Sequence, residues 1–107
     1  MLMRLHEWLA DWHRSHTAEL ARRGFSLEEP TASEPEAAKP SLTAYFESED
    51  RGVQVTAWSS GEVQFSTVDY AAAAEPTHTY HESLSPEQLE DELNERLNWA
   101  RPPDPRG

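Results

Sequence analysis

At 107 residues the chain falls in the size range of one domain, long enough to bury a modest core without metals or disulfides. It has no cysteine, which excludes a disulfide framework, a thiolate zinc site and a Cys nucleophile, and fits a reducing cytoplasm. Twenty acidic residues against nine basic ones leave a net charge of −11, which argues against nucleic acid and anionic membranes as partners, because counterion release needs clustered Lys and Arg.

From Arg4 onward polar and apolar residues alternate, and no run approaches membrane-spanning length, so the chain is expected to be cytoplasmic, neither exported nor inserted. Arg outnumbers Lys eight to one and Ala is common, a composition that suggests a GC-rich bacterial genome. Leu2, Leu5, Leu9, Trp12, His16 and Leu20 recur at steps of three and four residues, with Arg4, Glu7, Asp11 and Arg14 on the other side. That spacing predicts an amphipathic helix. Gly24 suits its left-handed C-terminal cap, and Arg22 and Arg23 suit the negative end of its dipole. Residues 26–41 hold Pro30, Pro35 and Pro40 among Glu, Ala and Ser, and read as an irregular connection contributing little to stability. Glu28, Glu29, Glu34 and Glu36 against Lys39 put −3 of the charge there.

At Leu42 the period changes from 3.6 to 2. Leu42, Ala44 and Phe46 alternate with Thr43, Tyr45 and Glu47; a turn at Glu49 to Gly52 follows; then Val53, Val55 and Ala57 alternate with Gln54, Thr56 and Trp58. Ser59, Ser60 and Gly61 form a three-residue hairpin loop with Gly at its positive-φ position, leading to a third strand with Val63 and Phe65 inward. If Phe46 pairs with Val53, and Ala57 with Val63, every apolar residue of the three strands lands on one face, as a one-sided core demands. Residues 70–76 form a connection without a clear pattern, and residues 77–83 a fourth strand. Ser85, Pro86 and Gln88 spell a helix start, with Leu84 placed to staple against Leu89. Leu89, Leu93, Leu97 and Ala100 then line one side. Residues 101–107 hold three prolines and read as a disordered tail.

The expected architecture is one α+β domain over residues 1–100: an antiparallel three- or four-stranded meander with an N-terminal and a C-terminal helix packed on one face. The other face has no cover within the chain. It carries Thr43, Tyr45, Glu47, Gln54, Thr56, Trp58, Glu62, Gln64 and Ser66, and exposed Tyr and Trp are enriched at protein interfaces because they bring large apolar area at low rotamer cost. The competing reading places Tyr45 and Trp58 beneath the proline-rich connection or the tail.

Chemistry has little to stand on. His6, His13 and His16 share one helix, and three imidazoles can hold zinc. Against this, His16 sits near the centre of the leucine stripe, where a half-buried, hydrogen-bonded histidine is the plainer reading. His78 and His81 in a strand point to opposite faces. No G-x-G-x-x-G, P-loop, G-x-S-x-G or H-E-x-x-H is present. The chain therefore reads as a binder without catalysis, cofactor or metal, working as a monomer or weak dimer. Its contact residues are expected at Tyr45, Glu47, Glu49, Asp50, Trp58 and Glu62.

The run Glu47 to Asp69, ESEDRGVQVTAWSSGEVQFSTVD, resembles the TriTu family of bacterial immunity proteins from polymorphic toxin systems, in Glu49, Asp50, Gly52, Val55, Trp58, Gly61 and Asp69. The frame is similar as well: a helix with Trp8 and Trp12, a Pro and Glu connection, the W-x-x-G hairpin at Trp58 to Gly61, and a Ser85-led leucine helix. The resemblance implies a cytoplasmic antidote that occludes a cognate toxin domain. An acidic protein of this kind is matched electrostatically to a basic nuclease. A second reading is a small acidic secretion chaperone or adaptor holding an effector, which a dimer would favour. A third is an enzyme, which needs a deep pocket lined by His16, His78 or carboxylates.

Overall fold

Strands whose side chains alternate between core and solvent bury their apolar half only in one register. The computed structural model, which describes residues 4–34, 38–72 and 75–101, has that register. In chain order the elements are helix α1 (Leu5–Arg22), the two-residue strands β1 (Ser26–Leu27) and β2 (Thr31–Ala32), strands β3 (Ser41–Glu47), β4 (Arg51–Trp58), β5 (Val63–Asp69) and β6 (Thr77–His81), and helix α2 (Pro86–Ala100). The sheet is antiparallel in the order β1, β3, β4, β5, β6, with β2 also on β3. Phe46 faces Val53, Ala44 faces Val55 and Leu42 faces Ala57, while Val55 and Ala57 face Phe65 and Val63. All of these are buried. The fourth strand pairs too, with Gln64 opposite Tyr80 and Ser66 opposite His78.

Both helices lie over the apolar side of the sheet. Leu5, Leu9, Trp12 and Leu20 of α1 and Leu89, Leu93, Leu97 and Ala100 of α2 join the strand residues in one core. Each fully buried Leu or Phe contributes about 1.5–3 kcal/mol relative to exposure, so this layer outweighs any single polar contact. Trp12 meets the Phe46 ring edge-on at 6.1 Å, and its Nε1 donates to Glu90 at 3.1 Å, tying α1 to α2. On α2, Arg96 lies 4.0 Å over the Phe65 ring and pairs with Glu92 at 2.6 Å.

The helix ends follow local chemistry. Gly24 has φ of 95°, its N–H donates to Ala21 O at 3.1 Å, and the Phe25 N–H reaches back to Leu20 O at 3.0 Å. This double closure comes with burial of both Phe25 and Leu20, the apolar contact that accompanies such caps. At the start of α2 the Ser85 hydroxyl accepts the Gln88 backbone N–H at 3.2 Å and the Gln88 side-chain Oε1 accepts the Ser85 backbone N–H at 2.9 Å. Leu84 packs against the core just before it.

One expectation is corrected. The connection after α1 is not wholly irregular: Ser26 and Leu27 pair with Glu47 and Phe46, and Thr31 and Ala32 with Thr43 and Leu42. The outer edge of β3 offers unpaired N–H and C=O groups, and the connection fills them as a broken edge strand. Glu28, Glu29 and Pro30 bulge out between the two pairings, a device that blunts an edge against further strand addition. The bulge also buries a histidine that the sequence did not single out for burial. Leu27, Glu28, Glu29 and Pro30 line a hollow along the α1 flank that carries His13, and His13 is 7% exposed. Burial pushes its pKa down, opposed by the charge of Glu29. His16 is half-buried, stacked on the Trp12 ring at 4.1 Å, with Nδ1 2.7 Å from Trp12 O. Leu2, residues 35–37 and 73–74, and residues 102–107 of the expected tail lie outside the described residues.

Candidate functional site

Because the helices share one side, the other face of the sheet is left uncovered by any described element. Two rows of side chains run across it. One row is Tyr45, Gln54, Ser66 and His78; the next is Thr43, Thr56, Gln64 and Tyr80. Within each row hydroxyls link neighbouring strands, Thr43 to Thr56 at 2.8 Å and Ser66 to His78 Nδ1 at 2.7 Å. Tyr45 is 37% exposed, Tyr70 51% and Tyr80 54%. Three large rings on one polar sheet face provide apolar contact area with little rotamer entropy to lose.

The turn end of this face is concave. A groove of about 210 Å³ runs between Tyr45 on one side and Val68, Tyr70 and Pro76 on the other, with Gly52, Gln54 and Ser66 between them. Gly52 is the reason Tyr70 can lie there: a Cβ at residue 52 would stand 2.9 Å from the Tyr70 hydroxyl and 3.2 Å from Val68 Cγ1. The Tyr70 hydroxyl donates to Glu47 at 3.3 Å, and its backbone N–H donates to Asp50 O at 2.7 Å. Desolvation, then the Glu47 charge, push the Tyr70 pKa up, so the phenol keeps its proton.

The six residues expected to make contact fall into two groups. Tyr45, Glu47, Glu49 and Asp50 gather at the β3 to β4 turn, all exposed. Trp58 and Glu62 sit at the opposite end, since Trp58 is four residues past Gln54, roughly 13 Å along a strand. Trp58 is half-buried. Glu62 is not a free acid. It is clasped by Lys39 and the Tyr80 hydroxyl and accepts the Ser60 hydroxyl at 2.8 Å. These bonds, Lys39 first, pull its pKa down to about 2. A carboxylate whose pKa is lowered by folding adds stability that is present above its unfolded value and lost as pH falls through the folded one. Glu62→Gln should therefore flatten part of the fall in stability between about pH 4.5 and pH 2, read by thermal melts at stepped pH, while an unchanged profile would show the clasp to be idle.

The sequence reading missed Tyr70 and Tyr80. Tyr80 was within reach, because it shares its parity with His78 in the fourth strand and so faces the same side. Tyr70 carries no local signal, as its place depends on the gap above Gly52. His78 and His81 do diverge: His78 bonds Ser66 on the uncovered face, and His81 meets the Phe65 ring edge-on at 6.1 Å, 4.0 Å from Glu92. Among the described residues no three His, Asp or Glu side chains converge as a metal set, and no helix is long and apolar enough to cross a membrane.

No curated protein and no solved structure matches the chain. The family model described as immunity protein TriTu matches residues 7–99, from the first turns of α1 through every strand to the last turn of α2. With the whole helix-backed sheet inside the matched span, the chain belongs to the TriTu family of immunity proteins.

Proposed function

We propose that this immunity protein neutralises a cognate toxin domain in the cytoplasm by occlusion, laying the uncovered face of its sheet on the toxin without turnover. The observation that carries the reading is a sheet face that no described element covers and that presents Tyr45, Tyr70 and Tyr80 to solvent. Such rings dominate binding energy when a partner desolvates them. The net charge of −11 supports a basic partner, a nuclease domain being the class that fits, because complementary fields speed encounter. Glu47, Glu49 and Asp50 at the turn end would steer that encounter, with Trp58 at the far end completing the contact.

The test is stoichiometric. Purified chain added to the cognate toxin domain should abolish its activity at one equivalent, with both proteins recovered intact from the complex. A toxin that stays fully active while bound would overturn occlusion and favour a holding role of the chaperone kind.

A further inference from the structure

We infer that the groove between Tyr45 and Tyr70 is a receptor for one arginine side chain of the partner, an inference that rests on the docking reading above and specifies its chemistry. Size comes first. At about 210 Å³ the groove equals roughly seven water volumes. That admits one long side chain and not a helix. Its walls supply what a guanidinium needs: ring faces on which a planar cation stacks, and a carboxylate that accepts its N–H groups. Tyr45 and Tyr70 are the rings and Glu47 is the carboxylate, turned toward the groove by the Tyr70 hydroxyl at 3.3 Å. Glu47 receives no other described side-chain donor. The Gln54 side chain between the walls offers a neutral amide oxygen besides.

The charges around the groove favour a cation from outside. Glu47, Glu49, Asp50 and Glu75 are exposed at this end. The cations near them are turned elsewhere. Arg51 is on the helix side, paired with Asp69 at 3.4 Å and lying 4.5 Å over the Trp99 ring. Arg101 lines a separate hollow with Ser48, Asp50 and Asp69, which leaves Glu47, Glu49 and Glu75 as the acids without a cation beside them in that hollow, and Lys39 is taken up by Glu62 at the far end of the sheet. The other described arginines belong to the helices or flank α1. Arginine fits better than lysine because its flat, weakly hydrated head can stack and donate at the same time.

The experiment uses the intact, isotopically labelled chain and N-acetyl-arginine methylamide as the probe, followed by amide shifts. Saturable shifts centred on Tyr45, Glu47, Gln54 and Tyr70 are expected, at least about fivefold tighter than with the equally capped lysine, and absent with capped citrulline, which lacks the charge. Glu47→Gln should weaken the arginine titration by about fivefold or more. Gly52→Ala, which pushes the exposed Tyr70 ring aside, should weaken it similarly with the melting temperature little changed. Shifts that never saturate, or that are equal for arginine and lysine across all acidic surfaces, would overturn the receptor.

A parallel arm measures toxin affinity for Tyr45→Ala. If that affinity falls while capped arginine leaves the groove untouched, the docking reading stands and the arginine receptor is wrong. If capped arginine fills the groove while toxin affinity is unchanged, the receptor stands as a site and docking through this face is wrong.

Discussion

Phe46→Ala should cost about 3–5 kcal/mol of folding stability, the range for deleting a large buried ring. Phe46 is fully buried in β3, meets Trp12 edge-on at 6.1 Å and lies 5.7 Å from the His13 ring, so its loss opens a cavity where α1, the edge strand and the sheet converge. Domains of this size have about 5–15 kcal/mol in total. The variant should therefore melt at least about 12 °C lower, taking about 4 °C per kcal/mol as the lower bound for a small domain. Phe46→Leu, which keeps most of the volume, should recover much of that loss. Chemical denaturation of the three proteins side by side checks it. A melt for Phe46→Ala within a few degrees of the parent would mean that the core collapses into the space, or that α1 does not depend on β3.

Tyr45→Ala should weaken toxin binding by about 2 kcal/mol or more, roughly thirtyfold in Kd, and leave the melting temperature within a few degrees. The expected split arises because Tyr45 is outside the core, 37% exposed, and opposite Gln54 on the uncovered face. Reversing Glu47, Glu49 and Asp50 together should act differently, slowing association and reducing its dependence on salt, since rim charges steer encounter more than they hold the complex. Trp58→Ala reports on the other end of the face. Its backbone N–H already closes the β4 to β5 hairpin onto Glu62 O at 2.9 Å, and this survives the substitution. Loss of affinity with an unaltered melt would make the Trp58 ring a second anchor. Affinity measured by calorimetry beside melting for each variant settles the assignment, and a Tyr45→Ala protein that unfolds would remove Tyr45 from the contact surface.

The turn-end groove shows why the candidate site was only partly legible. Tyr45 and Glu47 could be placed on the uncovered face by counting, because side chains alternate strictly along a strand. Tyr70 could not be found that way. It follows the end of β5, and its ring reaches the face only because residue 52, on the neighbouring strand, has no Cβ. Glu62 is the reverse case. Counting put it correctly beside the hairpin loop and suggested an open acid, yet Lys39, 23 positions earlier, folds over to clasp it.

Local patterns in the chain were enough for the strand registers, the start of α2 and the end of α1. A one-sided apolar alternation tolerates no slip, since a shift by one residue would turn every buried side chain to water, and Ser85, Gln88 and Gly24 act within a turn of their own position. What tertiary structure alone decided was where separate segments meet. By angle along α1, His16 is nearer the centre of the apolar stripe and is half-buried there as expected, but the edge strand packed beside the helix buries His13 more deeply. That edge strand itself forms because β3 has free backbone groups to satisfy, a demand made by one segment and met by another 10 to 21 positions away. No pattern confined to residues 26–32 records such a demand, because the cost of leaving those groups unpaired belongs to β3.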